Sequence, residues 1–288
     1  MSIDKGVLYI VATPIGNLAD MTYRAVEVLS QVDLIAAEDT RHSETLLRHF
    51  DIKTPCIALH EYSEKQITGR LIARLHNNEA IALISDAGTP LISDPGYVFV
   101  KEAHSQNIRV TPIPGASALM AALSAAGLPT DRFSFEGFLP AKQAARRHAL
   151  DTLRGDTRTL IFFESPHRII DTLADMVQIF GAAREAVIAR ELTKRFETLR
   201  GDTLENLLTW ASADPNQQKG EFVVLVHGAP ALLEQDIDPI SEKILRLLTA
   251  ELPVKKAAAL AAQITGKSKN AFYQFAIGHN LRGMEDKD

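Results

Sequence analysis

The sequence predicts an α/β fold made of two α/β domains and a small C-terminal helical extension of the helix-turn-helix type. Short apolar runs alternate with longer amphipathic runs through most of the chain, which is typical of βαβ units and a mostly parallel sheet. From about residue 240 onward, the apolar residues show only helical spacing. A length of 288 residues suits about two domains of ordinary size.

The first predicted domain spans residues 1–126 and contains five strands. Each strand is a short apolar run that is followed by turn residues and then by a helical run. The predicted strands are residues 7–12, 33–37, 57–59, 80–84 and 108–110, and the predicted helices are residues 22–30, 43–49, 64–77, 96–105 and 117–126.

The second predicted domain spans residues 127–229 and begins at a hinge, Gly127-Leu128-Pro129. Its predicted strands do not all have a clean helix between them, which indicates a mixed sheet rather than a purely parallel one. The predicted strands are residues 133–135, 159–163, 186–189 and 221–226, and the predicted helices are residues 141–153, 166–180 and 203–211.

A proline-containing acidic linker is predicted at residues 229–239, before a helical unit at residues 240–288. Helices are expected at 241–248, 254–265 and 268–277, with Ser241 as the N-cap of the first. Gly266 separates the last two, which is typical of a helix-turn-helix. A structural three-helix cap or a dimer contact fits the same pattern.

Charge is distributed unevenly along the chain. The formal net charge is −5, which argues against a generally basic nucleic-acid coat. Residues 241–288 nevertheless carry eight Lys/Arg against five Asp/Glu, a net of +3. This asymmetry indicates either a C-terminal contact with a polyanion or simply a solvated helical face.

Several common classes of protein are disfavoured. Cys56 is the single cysteine, which excludes an internal disulfide framework and suits a reducing compartment. The apolar runs are too short for a signal segment or a membrane span, so we expect a soluble cytoplasmic protein. The sequence lacks G-x-G-x-x-G, P-loop and H-E-x-x-H motifs, and its histidines show no metal-ligand spacing. We therefore expect no metal.

Four polar or glycine-rich loops follow predicted strands of the first domain, at residues 13–20, 36–42, 85–96 and 112–118. Ligands of open α/β sheets bind at the carboxyl ends of the strands. The 85–96 loop has two Gly, two Pro, two Asp and two Ser, and its small residues let a ligand approach the main chain closely. We interpret it as a ligand loop.

Two carboxylate positions have both a functional and a structural interpretation. Glu38 and Asp39 lie next to Arg41, where they can orient a sugar hydroxyl or accept its proton. Asp39 is equally suited to cap the next helix. Glu164 ends a strand and can bind ribose hydroxyls or an amine, or it can form a salt bridge with Arg168.

The ordered set of motifs resembles the tetrapyrrole-methylase-like family of S-adenosylmethionine-dependent methyltransferases. The resemblance runs from about residue 7 to the end of the chain, and it is the order of the motifs that makes it specific. The motifs are IVATPIGNL (10–18), AEDTR (37–41), SDAGTP (85–90), SDPG (93–96), EGFLP (136–140), ESPHR (164–168), ARELTK (189–194), KGE (219–221) and LPVKKAAALAA (252–262).

This resemblance implies two α/β domains that bind S-adenosylmethionine between them. It also implies methyl transfer to the ribose 2′-hydroxyl of a cytidine in the decoding region of small-subunit rRNA. The substrate is then rRNA or the 30S subunit, and family members are usually homodimers; we expect neither membrane nor DNA as a partner. The family's cofactor positions fall on Pro14, Ser85, Asp86, Ala87, Gly88, Ile92, Ser93, Asp94, Ala116, Ser117, Phe138 and Glu164.

The residues themselves suit this chemistry. A ribose hydroxyl is a poor nucleophile, so a nearby acceptor of its proton helps. The candidates are Glu38, Asp39, Asp86 and Asp94, and we hypothesise that Asp39 and Arg41 contact the substrate. Lysine and arginine side chains would supply the phosphate contacts. The RNA-binding candidates are Lys142, Arg146, Arg147, Lys255, Lys256, Lys267 and Lys269.

Two other functions remain open at this point. A methylase of the same fold that acts on a tetrapyrrole would need neither the basic tail nor the polar 37–41 loop. A non-catalytic adaptor would bind a nucleotide-like ligand and dock on RNA through the tail, without methyl transfer.

Overall fold

The computed structural model describes residues 3–59, 64–230 and 237–281. By its internal contacts the chain divides into two compact units, Met1–Gly228 and Ala229–Asp288. The first unit contains both predicted sheets, and the second contains the helical extension. The boundary predicted at residues 126–127 lies within the first unit and stays a prediction.

The first sheet has five parallel strands in the order β3-β2-β4-β1-β5. The connection after β1 runs toward β2, whereas the connection after β4 runs toward β5. The carboxyl ends of β1 and β4 therefore form the switch point at which ligands bind in such sheets. The strands are β1 (Val7–Val11), β2 (Leu34–Ala37), β3 (Cys56–Ala58), β4 (Ile81–Ile84) and β5 (Arg109–Ile113), and the helices are α1 (Tyr23–Gln31), α2 (Thr40–His49), α3 (Glu64–His76), α4 (Tyr97–Ser105) and α5 (Ala118–Ala125).

Helices cover both faces of this sheet, which explains the continuous apolar runs of its strands. Val7, Tyr9 and Val11 pack into the apolar cluster on one face, and Leu8 packs into the cluster on the other. The alternation follows from the two-residue period of a strand. Strand β5 extends beyond the predicted residues 108–110 through Pro112, which an edge strand tolerates because one side of its backbone is unpaired.

The second sheet is mixed, as predicted, with the strand order β6-β7-β10-β8-β9. Only β6 and β7 are parallel neighbours. Strand β9 was not predicted, because its sequence TLRGDT has one strongly apolar residue and the strand lies at the edge of the sheet. The strands are β6 (Phe133–Phe138), β7 (Thr159–Glu164), β8 (Glu185–Arg190), β9 (Thr198–Thr203) and β10 (Phe222–Val226), and the helices are α6 (Gln143–Thr152), α7 (Ile169–Phe180) and α8 (Leu204–Ala213).

The described residues of the second unit form three helices, α9 (Pro239–Glu251), α10 (Val254–Thr265) and α11 (Lys269–Gly278). Helix α9 begins before the predicted Ser241 because Asp238 is its N-cap and accepts hydrogen bonds from two backbone N–H groups. Gly266 ends α10 in the left-handed conformation. The core of the unit is small, with Phe272 and Leu245 packed among alanines. Residues 231–236 of the predicted linker lie outside the described residues.

Among the described residues, no helix is both long and apolar enough to cross a membrane.

Helices α6 and α7 are joined by a buried ion pair that corrects one expectation. The side chains of Arg146 and Asp175 are 3% and 1% exposed, and Arg146 Nε donates to Asp175 Oδ2 at 2.7 Å. Arg147 Nε donates to the other oxygen, Oδ1, at 2.6 Å. Arg146 therefore does not present its guanidinium to solvent, and the expectation that it contacts RNA phosphate does not hold in this structure.

Removal of Asp175 is expected to destabilise the fold strongly. The change Asp175→Ala leaves Arg146 buried without a counter-ion, which lowers the free energy of unfolding by about 3–5 kcal/mol. The change Arg147→Ala removes a partner that is 41% exposed and is expected to cost about 1 kcal/mol or less. Urea unfolding of the two variants measures both effects. Equal, small losses would show that the pair does not hold the helices together.

Candidate functional site

The loops that follow β1 and β4 are clamped together at the switch point. Thr13 N–H donates to the Gly88 carbonyl at 2.9 Å, and Gly88 N–H donates back to the Thr13 carbonyl at 3.0 Å. Gly88 has a φ of +81°, which glycine adopts at little cost, and a Cβ there would lie 3.2 Å from Ile15. The clamp therefore fixes two of the four predicted ligand loops against each other.

A cavity of about 370 Å³, the smaller cavity, opens beside this clamp and extends to the second sheet. Small residues, an exposed aromatic ring and carboxylates line it, a mixture suited to an organic ligand. Eight of the twelve cofactor candidates lie on its wall: Ala87, Gly88, Ile92, Ser93, Asp94, Ser117, Phe138 and Glu164.

A larger cavity of about 690 Å³ adjoins the smaller one and is more polar in its lining. It is lined by Asp39, which precedes α2, by Arg41 in the first turn of α2, and by Lys194 from the loop after β8. The cofactor candidates Pro14, Ser85 and Asp86 also lie on this wall. Ala116 lines neither cavity; its carbonyl accepts a hydrogen bond from Thr89 Oγ1 at 3.1 Å.

Among the residues that the structure describes, three line both cavities: Ile15, Ala87 and Glu221. A ligand in the smaller cavity and a ligand in the larger one would meet at these residues. Glu221 is the one titratable side chain among the three.

Asp39 fills the structural role that the sequence left open, and its functional role stays a prediction. It is the N-cap of α2, where Oδ1 accepts the Arg41 N–H at 2.9 Å. It also lines the larger cavity and holds the Arg41 guanidinium, with Nη2 donating to Oδ2 at 2.8 Å. These hydrogen bonds from Arg41 hold the pKa of Asp39 well below its usual range. Asp39 is therefore a charged anchor for Arg41 and a weak proton acceptor.

Three carboxylates converge where the loops after β2 and β4 meet. Asp39 N–H donates to Asp86 Oδ1 at 3.1 Å, and Asp86 N–H approaches Glu38 Oε2 at 3.5 Å. Glu38 lines neither cavity. Burial, with the neighbouring Glu38 charge, raises the pKa of Asp94 to about 6. Asp94 on the wall of the smaller cavity thus changes its charge close to neutral pH.

Glu164 forms the salt bridge that was the structural alternative. Its buried carboxylate accepts hydrogen bonds from Arg168 Nη2 at 3.0 Å, Thr172 Oγ1 at 2.6 Å and Ser165 N–H at 2.7 Å. Arg168 also donates to the Leu139 carbonyl at 2.7 Å. Glu164 therefore braces the wall on which the half-exposed Phe138 ring lies, and its oxygens are largely occupied.

Sequence reasoning missed a charged cluster of Lys194, Glu191 and Glu221. Lys194 Nζ donates to Glu191 Oε1 and to Glu221 Oε2, each at 2.8 Å. The motifs ARELTK and KGE that carry these residues were part of the resemblance, but the sequence alone assigned them no role. The pairing across two strands was not visible in sequence.

The remaining RNA-binding candidates differ in availability. Lys142, Lys255, Lys256 and Lys269 are exposed, and Arg147 is partly exposed. Lys267 is instead ion-paired with Asp238 at 2.8 Å, which ties the α10–α11 turn to the start of α9. That pairing makes Lys267 a structural residue of the second unit in this structure.

Two family models match this chain. The model for tetrapyrrole (corrin/porphyrin) methylases matches residues 7–208, and the model for the RsmI C-terminal HTH domain matches residues 235–279. The first covers the first sheet, strands β6 to β9 of the second sheet and the first half of α8, and it ends before β10. The second covers the three-helix unit.

Curated relatives match almost the whole chain. A protein of Pseudomonas aeruginosa named ribosomal RNA small subunit methyltransferase I is 58% identical, over 94% of this chain and 97% of its own length. The protein of the same name from Haemophilus influenzae is 54% identical, over 95% of this chain and 97% of its own length.

Solved structures share the fold at low sequence identity. Cobalt precorrin-4 methyltransferase has a TM-score of 0.58 at 15% identity and covers 77% of this chain and 95% of its own. Diphthine synthase has a TM-score of 0.56 at 16% identity and covers 77% of this chain and 89% of its own. The family model and the near full-length relatives establish that this chain belongs to the tetrapyrrole (corrin/porphyrin) methylase family, in the group whose curated members are named ribosomal RNA small subunit methyltransferase I.

Proposed function

We propose that this protein transfers a methyl group to the ribose 2′-hydroxyl of a cytidine in the decoding region of 16S (small-subunit) rRNA. The observation that carries the proposal is that similarity to the rRNA methyltransferases extends through both the methylase region and the C-terminal helical unit. The two adjoining cavities at the switch point suit a reaction between a bound cofactor and a second, larger substrate.

The same extent of similarity disfavours a tetrapyrrole substrate. The corrin and porphyrin methyltransferases of known structure cover about 77% of this chain at 15–18% identity, a likeness of fold alone. The rRNA methyltransferase relatives cover 94–95% of it at more than 50% identity. A non-catalytic adaptor is disfavoured because these relatives are named as enzymes.

S-adenosylmethionine is the proposed cofactor, and the smaller cavity is its proposed site. A volume of about 370 Å³ lies within the range of small-ligand pockets. Phe138 offers an exposed ring for stacking, Ala87 and Gly88 allow close approach to the main chain, and Asp94 offers a carboxylate to a hydroxyl or an ammonium group. When bound, the cofactor supplies a methyl group already activated on a sulfonium, so this chemistry needs no metal.

On the substrate side, the protein's main task is positioning. Methyl transfer requires the acceptor oxygen, the methyl carbon and the sulfur in line, so orientation governs the rate. Arg41 is held by Asp39 at the wall of the larger cavity, with most of its side chain exposed. We infer that Arg41 binds a phosphate or sugar oxygen of the substrate and that Asp39 fixes its direction.

RNA affinity is proposed to come from cations outside the cavities, namely the exposed Lys142, Lys255, Lys256 and Lys269 and the partly exposed Arg147, which also pairs with Asp175. Such contacts bind phosphates without reading sequence. The family resemblance further supports a homodimer that acts in the cytoplasm on rRNA or the 30S subunit. Sedimentation at micromolar concentration tests the dimer.

Methylation of small subunits from a strain lacking this protein tests the function. Labelled S-adenosylmethionine is expected to place label on one ribose 2′-oxygen of a small-subunit rRNA cytidine. The change Asp39→Asn retains a good helix cap but removes the charge that holds Arg41, and a misplaced substrate is expected to slow turnover by about 10²-fold. Turnover of this variant at the native rate would refute the role of Asp39, and label absent from rRNA would refute the function.

Cofactor affinity is expected to depend on the ionisation of Asp94. Because its pKa is raised to about 6, Asp94 becomes protonated as the pH falls from 7 to 5 and loses the charge that attracts a cationic ligand. Binding should therefore weaken with acidification. In Asp94→Asn it should be weak and independent of pH over this range. Calorimetric titration with S-adenosylmethionine measures both; an unchanged pH dependence in the variant would contradict the assignment.

Exposed lysines of the helical unit are expected to set the salt dependence of rRNA binding. Each phosphate contact contributes roughly 0.7–0.9 to the slope of log affinity against log salt. Replacing Lys255, Lys256 and Lys269 by Ala should reduce that slope by about two while leaving cofactor affinity unchanged. Lys101→Ala, an exposed lysine on α4, is the control. An unchanged slope in the triple variant would assign these lysines to a merely solvated face.

A further inference from the structure

We propose that Glu221 accepts the proton of the substrate hydroxyl, and that Lys194 and Glu191 are positioning residues that hold its carboxylate at the junction of the two cavities. This inference rests on the proposed function and adds a residue that the sequence did not identify. Its starting point is location: among the described residues three line the junction, and the side chains of Ile15 and Ala87 are alkyl groups that cannot accept a proton.

Glu221 is held at the junction by paired main-chain and side-chain bonds. Glu191 N–H donates to the Glu221 carbonyl at 3.0 Å, and Glu221 N–H donates to Glu191 Oε1 at 3.0 Å. Lys194 Nζ bridges the two carboxylates. These bonds hold the segment before β10 against the loop after β8. The main chain from which the Glu221 side chain extends is therefore fixed in position.

The loop after β8, which carries Glu191 and Lys194, has two residues with unusual backbone angles. Glu191 and Thr193 have φ values of 51° and 65°, in the left-handed region that non-glycine residues rarely occupy. Gly220 has a φ of +91°, and a Cβ there would overlap the Glu191 carboxylate. The alkyl chain of Lys194 likewise occupies the space that a Cβ on Gly16 would need. Strained conformations of this kind concentrate at functional sites.

The glutamate that is proposed to accept the proton is the more exposed of the two, as contact with a substrate requires. The side chain of Glu221 is 77% exposed, whereas that of Glu191 is 19% exposed. Lys194 is bound to Oε2 of Glu221, and among the described residues no group donates a hydrogen bond to Oε1. One oxygen is therefore anchored, and the other is available to a hydroxyl that enters the larger cavity.

The other carboxylates at the site are less suited to the task. Asp39 is occupied by Arg41, and Asp86 Oδ1 accepts the Asp39 N–H. Asp94 lines the smaller cavity only, on the side proposed for the cofactor. Glu221 is thus the carboxylate that both borders the junction and has an oxygen left to accept.

The proposed step balances without any further reactant. The acceptor oxygen forms a bond to the methyl carbon as the bond between that carbon and sulfur breaks, and the sulfur keeps the electron pair. The hydroxyl proton passes to Oε1 of Glu221 and then to solvent. Lys194 remains charged throughout and keeps the carboxylate directed at the oxygen.

The decisive variant is Glu221→Gln, which keeps the shape of the side chain but cannot take the proton. We expect single-turnover methylation to fall by about 10² to 10⁴-fold, the range that general bases contribute. Affinities for S-adenosylmethionine and for small subunits, measured by calorimetry and filter binding, should change by less than about twofold. Asp4→Asn removes an exposed carboxylate paired with Arg109 before β1, at the opposite end of the sheet, and should leave all three quantities unchanged.

A double-mutant cycle tests whether Lys194 acts through Glu221. Lys194→Met should slow methylation in the native background and have little further effect in Glu221→Gln, and Lys194→Arg should restore part of the rate. Methylation by Glu221→Gln at the native rate, or a loss explained entirely by weaker binding, would overturn the proposal. Inactivity of the native protein on small subunits would instead refute the proposed function, so the two failures are distinguishable.

Discussion

The candidate site depends on the reciprocal hydrogen bonds between Thr13 and Gly88. They join the loop after β1 to the loop after β4. These two strands are neighbours in the sheet, but the chain leaves them toward opposite edges of the sheet. A parallel sheet has a crevice at such a point. The Thr13–Gly88 hydrogen bonds lie at the base of this crevice, and the adjacent residues Ile15 and Ala87 line both cavities. Asp94 lies on the same loop as Gly88, whereas Glu221 reaches the junction from the second sheet, where Glu191 and Lys194 hold it.

Electrostatics then divides the carboxylates of the site into different roles. Arg41 holds the pKa of Asp39 low, so that residue remains an anion and an anchor. Burial is the largest single effect on the pKa of Glu191 and would raise it. The hydrogen bonds from Lys194 and from the Glu221 N–H, together with the charges of Lys194 and Arg190, outweigh burial and hold that pKa below its usual value. Asp94 has no cation beside it among the described residues, and its pKa rises. Carboxylates of similar chemistry thus differ in pKa according to the cation beside them: Asp39 and Glu191 remain charged, whereas Asp94 titrates at a higher pH.

The features that were predicted from the sequence are those that depend on the pattern of residues close together in the chain. The five parallel strands, the mixed second sheet and the loops at residues 85–96 and 36–42 followed from apolar runs and turn residues. Burial of Arg146 and the pairing of Lys267 with Asp238 were not predicted, because each partner lies 29 residues away in the chain. Glu221 was overlooked for the same reason: its significance comes from a cavity wall that it shares with the loop after β1.

In the arrangement that we propose for this chain, the larger cavity determines the choice of substrate. The solved neighbours act on different molecules, as their names state, yet share the fold at 14–18% identity, so the common architecture does not specify the acceptor. In this chain, Asp39, Arg41 and Lys194 line only the larger cavity, whereas Asp94, Phe138 and Glu164 line only the smaller. Glu221 borders both. On that proposal, a change of acceptor alters the loop after β2, the first turn of α2 and the loop after β8 and retains the wall of the smaller cavity. Glu221 at the junction must then suit the new nucleophile.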